Sequence, residues 1–177
     1  MFLVFAGFSG SGKSYLAKRI SKKLNCPYLN SDKIRKDIAQ IATTKHVFQK
    51  FGKGLYSKKM TELTYNNLFN KGKKLLENNK FVIIDATFTS QEMQKKLLDS
   101  GVDFIFFWCH APDEIIKNRL EKRLHDKKNI SDATWEIYLK QKENFKGLII
   151  PENKVIKIDT SSNEAFEKVF EVSLRLV

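Results

Sequence analysis

The chain has 177 residues, of which 42% are hydrophobic, and this size and composition suit one compact domain with a sizeable core. Its two cysteines, Cys26 and Cys109, lie far apart at the edges of apolar segments, which argues against a disulfide framework or a thiolate metal site. The net charge of +12 allows a nucleic-acid partner without requiring one, because only five of the 32 basic residues are arginines and the lysines are scattered through helical segments.

The first predicted element is a β-strand at residues 2–6, FLVFA. This apolar run does not have the form of a signal peptide, because no basic residue precedes it and no small-residue cleavage pattern follows it. Nowhere do about 18 apolar residues follow one another, as a membrane-spanning helix would need. We therefore expect a soluble, cytoplasmic protein with no membrane partner.

Short apolar runs alternate with amphipathic segments along the whole chain, which is typical of βαβ units around a parallel sheet. Three of the runs, at residues 2–6, 81–84 and 104–109, are almost continuously apolar, as strands covered by helices on both faces must be. These three should form the centre of the sheet. The five predicted strands are residues 2–6, 27–30, 81–86, 104–111 and 154–159.

Helices are predicted where apolar residues recur at helical spacing. The first carries Leu16, Ala17, Ile20 and Leu24, and a long one covers the segment Tyr56–Asn78. Between Thr43 and Gly54 the pattern fades into a loop. A further helix should begin near Pro112, since proline suits the first helical position, and run to about His125.

A polar segment, HDKKNIS at residues 125–131, follows that helix and forms the centre of a predicted short lid at about residues 124–133. Ser131 is predicted to cap the next helix, with Ile130 packing against Trp135, and this helix should end at Gly147. Because the chain shows no internal repeat and no interdomain linker, residues 1–177 are predicted to form a single domain.

The stretch GFSGSGKS fits the phosphate-loop pattern G-x-x-x-x-G-K-[ST], with Gly7, Gly12, Lys13 and Ser14 at the fixed positions. Glycines let successive backbone N–H groups turn inward around phosphate oxygens. Lys13 would reach the β- and γ-phosphates of ATP, and the Ser14 hydroxyl would bind Mg²⁺. The predicted nucleotide-binding residues are Gly7, Ser9, Gly10, Ser11, Gly12, Lys13, Ser14 and Tyr15.

The stretch NSDKIR supplies candidate groups for a second substrate. Ser31 can cap a helix, while Asp32 and Arg35 fall three residues apart on one helix face, at the sheet edge where the phosphate loop opens. A carboxylate there can accept the proton of an attacking hydroxyl, and Arg35 can orient the substrate that carries it. The alternative is an ordinary helix cap with a surface ion pair.

Two arginines, Arg119 and Arg123, lie four residues apart on the helix that leads into the predicted lid. Guanidinium groups beside a closing segment can neutralise the charge on a transferring phosphoryl group. Three of the five arginines lie in these two clusters, in a chain that otherwise uses lysine for positive charge. The alternative is a solvated helix face.

Asp85 ends a central strand and is a candidate for holding a magnesium-bound water or orienting the acceptor. A plain strand-end cap for a helix starting near Ser90 is the alternative. Many phosphate-loop ATPases place a water-activating glutamate directly after this aspartate, whereas here the next residue is Ala86. The pattern therefore favours transfer to a hydroxyl over transfer to water.

These motifs, together with VIIDATF, FFWCHAP and SDATWEIYLKQ, resemble a bacterial family of P-loop kinases in the nucleoside-monophosphate-kinase-like group. Members are sometimes fused to an aminoglycoside-phosphotransferase-like domain. A more distant similarity is to the phage-type polynucleotide 5′-hydroxyl kinase and to zeta-toxin, chloramphenicol and gluconate kinases. That resemblance implies that Lys13 and Ser14 belong to the loop, Asp32 is the general base, Arg35 clamps an acceptor phosphate, and Arg119 and Arg123 form the lid pair. The match at Asp85 is looser.

The sequence thus predicts an α/β protein with the three-layer α/β/α P-loop NTPase fold, a five-stranded parallel sheet in the order 2-3-1-4-5, and a short helical lid. Its expected activity is transfer of the γ-phosphate of ATP, with Mg²⁺, to an acceptor hydroxyl. The acceptor is either a polynucleotide 5′-hydroxyl or a small hydroxylated molecule. The alternative function is a nucleotide-dependent switch or ATPase without a hydroxyl acceptor.

Overall fold

A five-stranded parallel sheet forms the centre of the computed structural model, which describes residues 1–42, 54–124 and 132–176. The strand order is β2-β3-β1-β4-β5, so the predicted order is confirmed. Each strand agrees with its predicted bounds to within one residue at either end. The strands are β1 (Phe2–Ala6), β2 (Tyr28–Asn30), β3 (Val82–Asp85), β4 (Phe104–His110) and β5 (Val155–Asp159).

Helices connect the strands and cover both faces of the sheet. They are α1 (Lys13–Leu24), α2 (Ser31–Ile38), α3 (Lys58–Leu76), α4 (Gln91–Leu98), α5 (Asp113–Leu124), α6 (Trp135–Glu143) and α7 (Ala165–Leu174), with short 3₁₀ turns at Gly54–Tyr56 and Glu152–Lys154. Within the described ranges, no helix is both long enough and apolar enough to span a bilayer.

The alternation of side chains along β1 divides the core into two layers, since successive strand residues point to opposite faces. Leu3 and Phe5 pack with α1 and α7 on one face, whereas Phe2 and Val4 pack with α3 and α4 on the other. Every residue of β1 is fully buried. The three-layer α/β/α arrangement predicted from the continuously apolar strands is therefore confirmed.

Several helix ends differ from the predictions because neighbouring residues compete for the capping position. Asn30, and not Ser31, caps α2, since its side chain accepts a hydrogen bond from the Lys33 amide at 2.9 Å. The long helix begins at Lys58 instead of Tyr56, because Ser57 caps it after the 3₁₀ turn, and it ends at Leu76 instead of Asn78.

The helix after the predicted lid is shorter than expected. It begins at Trp135, where the Thr134 hydroxyl accepts from the Ile137 amide, and ends at Glu143 instead of Gly147. Thr134 therefore holds the capping position that was predicted for Ser131. Ser131 itself, its predicted staple residue Ile130, the end of α5 at His125 and most of the predicted lid lie outside the described residues.

Candidate active site

The phosphate loop joins β1 to α1, and its glycines adopt backbone conformations that other residues rarely reach. Gly7, Gly10 and Gly12 have φ angles of 141°, 78° and 83°. Their surroundings leave no space for a side chain: a Cβ atom on Gly7 would lie 2.2 Å from the carbonyl oxygen of Cys109. The loop thus packs directly on the carboxyl end of β4, and both conformation and space require glycine there.

The cost of adding one methyl group to the loop can be measured at Gly10. A Cβ there would lie 2.7 Å from Ile116 Cγ2 and 3.0 Å from Leu120 Cγ, both buried on α5. Gly10→Ala should reduce the free energy of unfolding by about 1–3 kcal/mol more than Gly101→Ala does. Gly101 is the matched control, because its φ is also positive, at 70°, but no atom lies within 4 Å of its added Cβ. Equal losses of stability in urea titrations would contradict the tight packing of Gly10.

Lys13 occupies the first position of α1, where its side chain folds back over the loop. Its Nζ donates a hydrogen bond to the carbonyl oxygen of Phe8 at 3.3 Å. Burial lowers the pKa of the Lys13 ammonium, while the Asp85 and Asp32 carboxylates act against that shift. The lysine and the two predicted carboxylates therefore share one site, at the carboxyl edge of the sheet.

Asp85 is fully buried at the end of β3, and its two carboxylate oxygens have different surroundings. Its Oδ2 accepts hydrogen bonds from the Tyr28 hydroxyl at 2.5 Å and from Asn30 Nδ2 at 2.8 Å. Its Oδ1 has no hydrogen-bond partner among the residues the structure describes. A buried carboxylate oxygen with free lone pairs is a suitable ligand for a cation or its water.

The residues present fit a Mg²⁺ ion of the phosphate-bound type. Among the described residues no group of three or more His, Cys, Asp or Glu side chains could hold a metal. Mg²⁺ in nucleotide sites does not need such a group, because substrate phosphates and water supply most of its ligands. Among the described residues, Ser14 at the start of α1 and Asp85 Oδ1 are candidate oxygens for holding it.

Asp32 lies in the first turn of α2 and is partly buried. Burial raises the pKa of its carboxyl above the ordinary value, although Arg35 and Lys13 act in the opposite direction. Asp85 and Asp132 raise it further. A carboxylate that is desolvated but paired with cations is suited to accepting a proton from a hydroxyl.

Arg35 is held firmly by its neighbours, and the residue is only 6% exposed. Its Nη1 donates to the carbonyl oxygen of Leu55 at 3.1 Å and to Thr61 Oγ1 at 3.2 Å, and its guanidinium lies 5.0 Å from the centre of the Tyr56 ring. Its buried Nε has no hydrogen-bond partner in the described part of the chain. An unpaired N–H in the interior is a candidate position for a water molecule or a polar ligand group.

The two arginines of α5 have different surroundings. Arg119 donates to Thr160 Oγ1 at 2.9 Å and to the Thr160 carbonyl oxygen at 2.8 Å, which ties it to the segment after β5. Burial and the nearby Arg119 lower the pKa of Arg123, and the Asp85 and Asp32 carboxylates raise it. Of the two arginines of α5, Arg123 is therefore the one that interacts with the Asp85 and Asp32 carboxylates.

A buried ion pair beside Asp32 was missed by the sequence predictions. Lys36 Nζ lies 3.2 Å from Asp132 Oδ1, and both side chains are only 1% exposed. The Tyr56 hydroxyl donates to the other carboxylate oxygen of Asp132 at 3.0 Å. No sequence signal distinguished Lys36 from the many surface lysines of the chain, and its partner is 96 residues away.

Other contacts of the site were also missed. Tyr28 and Asn30 precede α2 on β2, and Gln141 on α6 accepts a hydrogen bond from the Ser9 amide of the loop. The Thr160 hydroxyl donates to the Ser11 carbonyl oxygen at 2.6 Å. One sequence signal could have indicated Asn30 and Thr160. Both lie at or just after the carboxyl end of a parallel strand.

Comparison with curated proteins finds distant relatives of greater length. Proteins of Mycobacterium bovis and Mycobacterium tuberculosis, both described as uncharacterized, are 25% identical to this chain over 135 residues, which is 74% of it. The chain spans about a quarter of the length of these relatives, since the match covers 26% of each.

Solved structures of the same fold include kinases. A gluconokinase from Sinorhizobium meliloti has a TM-score of 0.65 at 17% identity, covering 99% of this chain and 91% of that one. Chaetomium thermophilum Kti12 in complex with ADP-AlF3 has a TM-score of 0.69 at 12% identity, covering 100% of this chain and 99% of that one. At these identities the likeness shows the fold alone.

A family model described as AAA domain matches residues 2–148, which includes the phosphate loop, Asp32, Asp85 and both arginines of α5. The loop and the family together support a nucleotide-dependent phosphotransferase or ATPase, and the predicted resemblance to P-loop kinases is confirmed. Because the match covers most of its length, the chain belongs to the AAA domain family, with the fold of the P-loop kinases.

Proposed function

We propose that this protein is an ATP-dependent kinase that transfers the γ-phosphoryl group of ATP to an acceptor hydroxyl. The observation that carries the proposal is Asp32, a partly buried carboxylate that interacts electrostatically with both Lys13 and Arg35. A carboxylate that interacts electrostatically with the lysine of the phosphate loop and with a buried arginine has the surroundings of a general base. The residue after Asp85 is Ala86, so the glutamate with which many ATPases activate water is not in its usual place.

In the proposed reaction, Asp32 accepts the proton of the acceptor hydroxyl as its oxygen attacks the γ-phosphorus. The bond between the γ-phosphorus and the bridging oxygen breaks, and ADP leaves. Lys13 and Arg123 offset the negative charge on the transferring group, and Arg35 positions the acceptor. Bound Mg²⁺, held through Ser14 and Asp85, would supply further charge neutralisation.

Incubation with γ-labelled ATP and Mg²⁺ tests this proposal directly. The acceptors offered are a 5′-hydroxyl oligonucleotide and pools of nucleosides, sugars and aminoglycosides. We expect label on one of these acceptors, and its transfer should require Asp32. Release of labelled phosphate without any labelled acceptor would instead support an ATPase or nucleotide-dependent switch. If the oligonucleotide is labelled, its affinity should fall with salt at a slope of about −0.7 per phosphate contacted.

The proposed base also predicts the direction of the pH dependence. Burial raises the pKa of the Asp32 carboxyl, and only the ionised form can accept a proton. Transfer should therefore decline as the pH falls through this raised pKa, and the decline should begin at a higher pH than for an ordinary aspartate. Profiles of kcat/KM against pH measure it, and an acid limb at the ordinary aspartate value would contradict the assignment.

A further inference from the structure

One peptide unit of the phosphate loop is held by hydrogen bonds on both of its polar atoms. The carbonyl oxygen of Phe8 accepts from Lys13 Nζ at 3.3 Å. The N–H of Ser9, on the same peptide, donates to Gln141 Oε1 at 2.9 Å. Gln141 lies on α6, 132 residues away along the chain, so a side chain from a distant helix occupies an amide of the loop.

The contact with Lys13 indicates which part of a bound nucleotide the Phe8–Ser9 peptide would lie near. Lys13 of a phosphate loop reaches the β- and γ-phosphates, and here its Nζ rests on this peptide. The N–H groups of such a loop are ligands for phosphate oxygens. Because an amide has one hydrogen, the Ser9 N–H cannot donate fully to Gln141 and to a phosphate at the same time.

Aromatic contacts bind the same part of the loop to α6 and its neighbourhood. The Phe8 ring meets the Tyr138 ring edge to face at 5.8 Å and the Phe145 ring at 5.2 Å. Ser9 is 6% exposed, and Tyr138 is 2% exposed. The loop and α6 therefore form one packed unit. A displacement of the Ser9 amide would displace the Gln141 side chain as well.

We propose that Gln141 is a positioning residue that accepts the Ser9 amide hydrogen bond and yields this amide to the γ-phosphate when ATP binds. ADP has no γ-phosphate, so it leaves the bond between Ser9 and Gln141 in place. Gln141 thereby sets how strongly the protein discriminates ATP from ADP. This inference rests on the proposed function only in taking ATP as the donor.

Dissociation constants for ADP and for a non-hydrolysable ATP analogue, measured by calorimetry with Mg²⁺ and without acceptor, test the role. Gln141→Met removes the competing acceptor, so the preference for the ATP analogue over ADP should increase about fivefold. Gln141→Glu keeps an acceptor but places a negative charge beside the γ-phosphate, so the preference should decrease by at least the same factor. The control Lys140→Ala, exposed on the same helix, should leave the preference unchanged.

A second readout does not depend on nucleotide. In the nucleotide-free protein, the Ser9 amide should exchange its hydrogen with solvent faster in Gln141→Met than in wild type, and Gln141→Glu should retain the protection. Preferences that stay constant in both variants, or that shift in the same direction, would overturn the role of Gln141. Should Gln141→Met fail to fold, Gln141→Glu decides alone. Failure of the wild-type protein to bind either nucleotide would instead refute the proposed function.

Discussion

Replacing Asp32 by asparagine should reduce the rate of phosphoryl transfer by about two to four orders of magnitude, the usual contribution of a general base. Asparagine has nearly the same shape but cannot accept the proton of the attacking hydroxyl. ATP binding should remain close to that of wild type, because the phosphate loop is unchanged. Initial rates of label transfer and calorimetric binding of ATP measure the two effects separately.

The free energy of unfolding of Asp32→Asn provides a control for a structural role of Asp32. Burial raises the pKa of the Asp32 carboxyl, so the folded protein binds its proton more readily than the unfolded chain does. At neutral pH the ionised carboxylate therefore opposes folding, and this cost disappears as the pH falls through the raised pKa. Asp32→Asn should consequently be at least as stable as wild type at pH 7. A variant that loses both transfer and stability would indicate a structural role for Asp32.

Replacing Lys36 by methionine should have the largest effect on stability. The change leaves the carboxylate of Asp132, which is 1% exposed, without the cation 3.2 Å away, and breaking a buried pair in this way costs about 3–5 kcal/mol. The hydrogen bond from Tyr56 remains but carries no positive charge. Urea titration of the wild type and the variant measures the difference in unfolding free energy.

Lys154→Met is the matched control for Lys36→Met. Lys154 Nζ lies closer to its partner, 2.7 Å from Asp103 Oδ1, but the two side chains are 34% and 69% exposed. Breaking this exposed pair should cost less than about 1 kcal/mol. If the two variants lose similar stability, burial does not set the strength of the Lys36–Asp132 pair. The double variant Lys36→Met, Asp132→Leu should recover much of the loss, because no buried charge remains unpaired.

The sheet could be predicted from the sequence because its determinants are local and strong. The central strands are continuously apolar, and β1 is fully buried, so their composition alone indicates cover on both faces. The phosphate loop was equally clear, since Gly7, Gly10 and Gly12 take conformations that few other residues adopt. The spacing of these glycines in the sequence therefore indicates the backbone conformation of the phosphate loop.

Helix ends and site contacts were harder to predict, for two physical reasons. Asn30 and Ser31 are both good caps, and a difference of a few tenths of a kcal/mol decides between them. The contacts of Lys36 and Gln141 join residues 96 and 132 positions apart, so they follow from the tertiary packing of α2, α6 and the residues before α6, and not from local sequence. The catalytic roles of Asp32, Arg35 and Arg123 stay predictions, and Asp32→Asn tests the first of them.

The two hydrogen bonds that Asp85 accepts also help to fix the register of the edge strand β2. The edge strand β2 has only three residues, and its last residue, Asn30, is paired directly with Asp85. A strand this short has few ladder bonds to fix its register, so side-chain bonds across the pair matter more than in a long strand. The Asp85 carboxylate, whose Oδ1 has no hydrogen-bond partner in the described residues, thus holds β2 in register through its Oδ2. Because Asp32 lies two residues beyond that strand, mutations at Asp85 should displace the proposed general base as well as remove the proposed Mg²⁺ ligand.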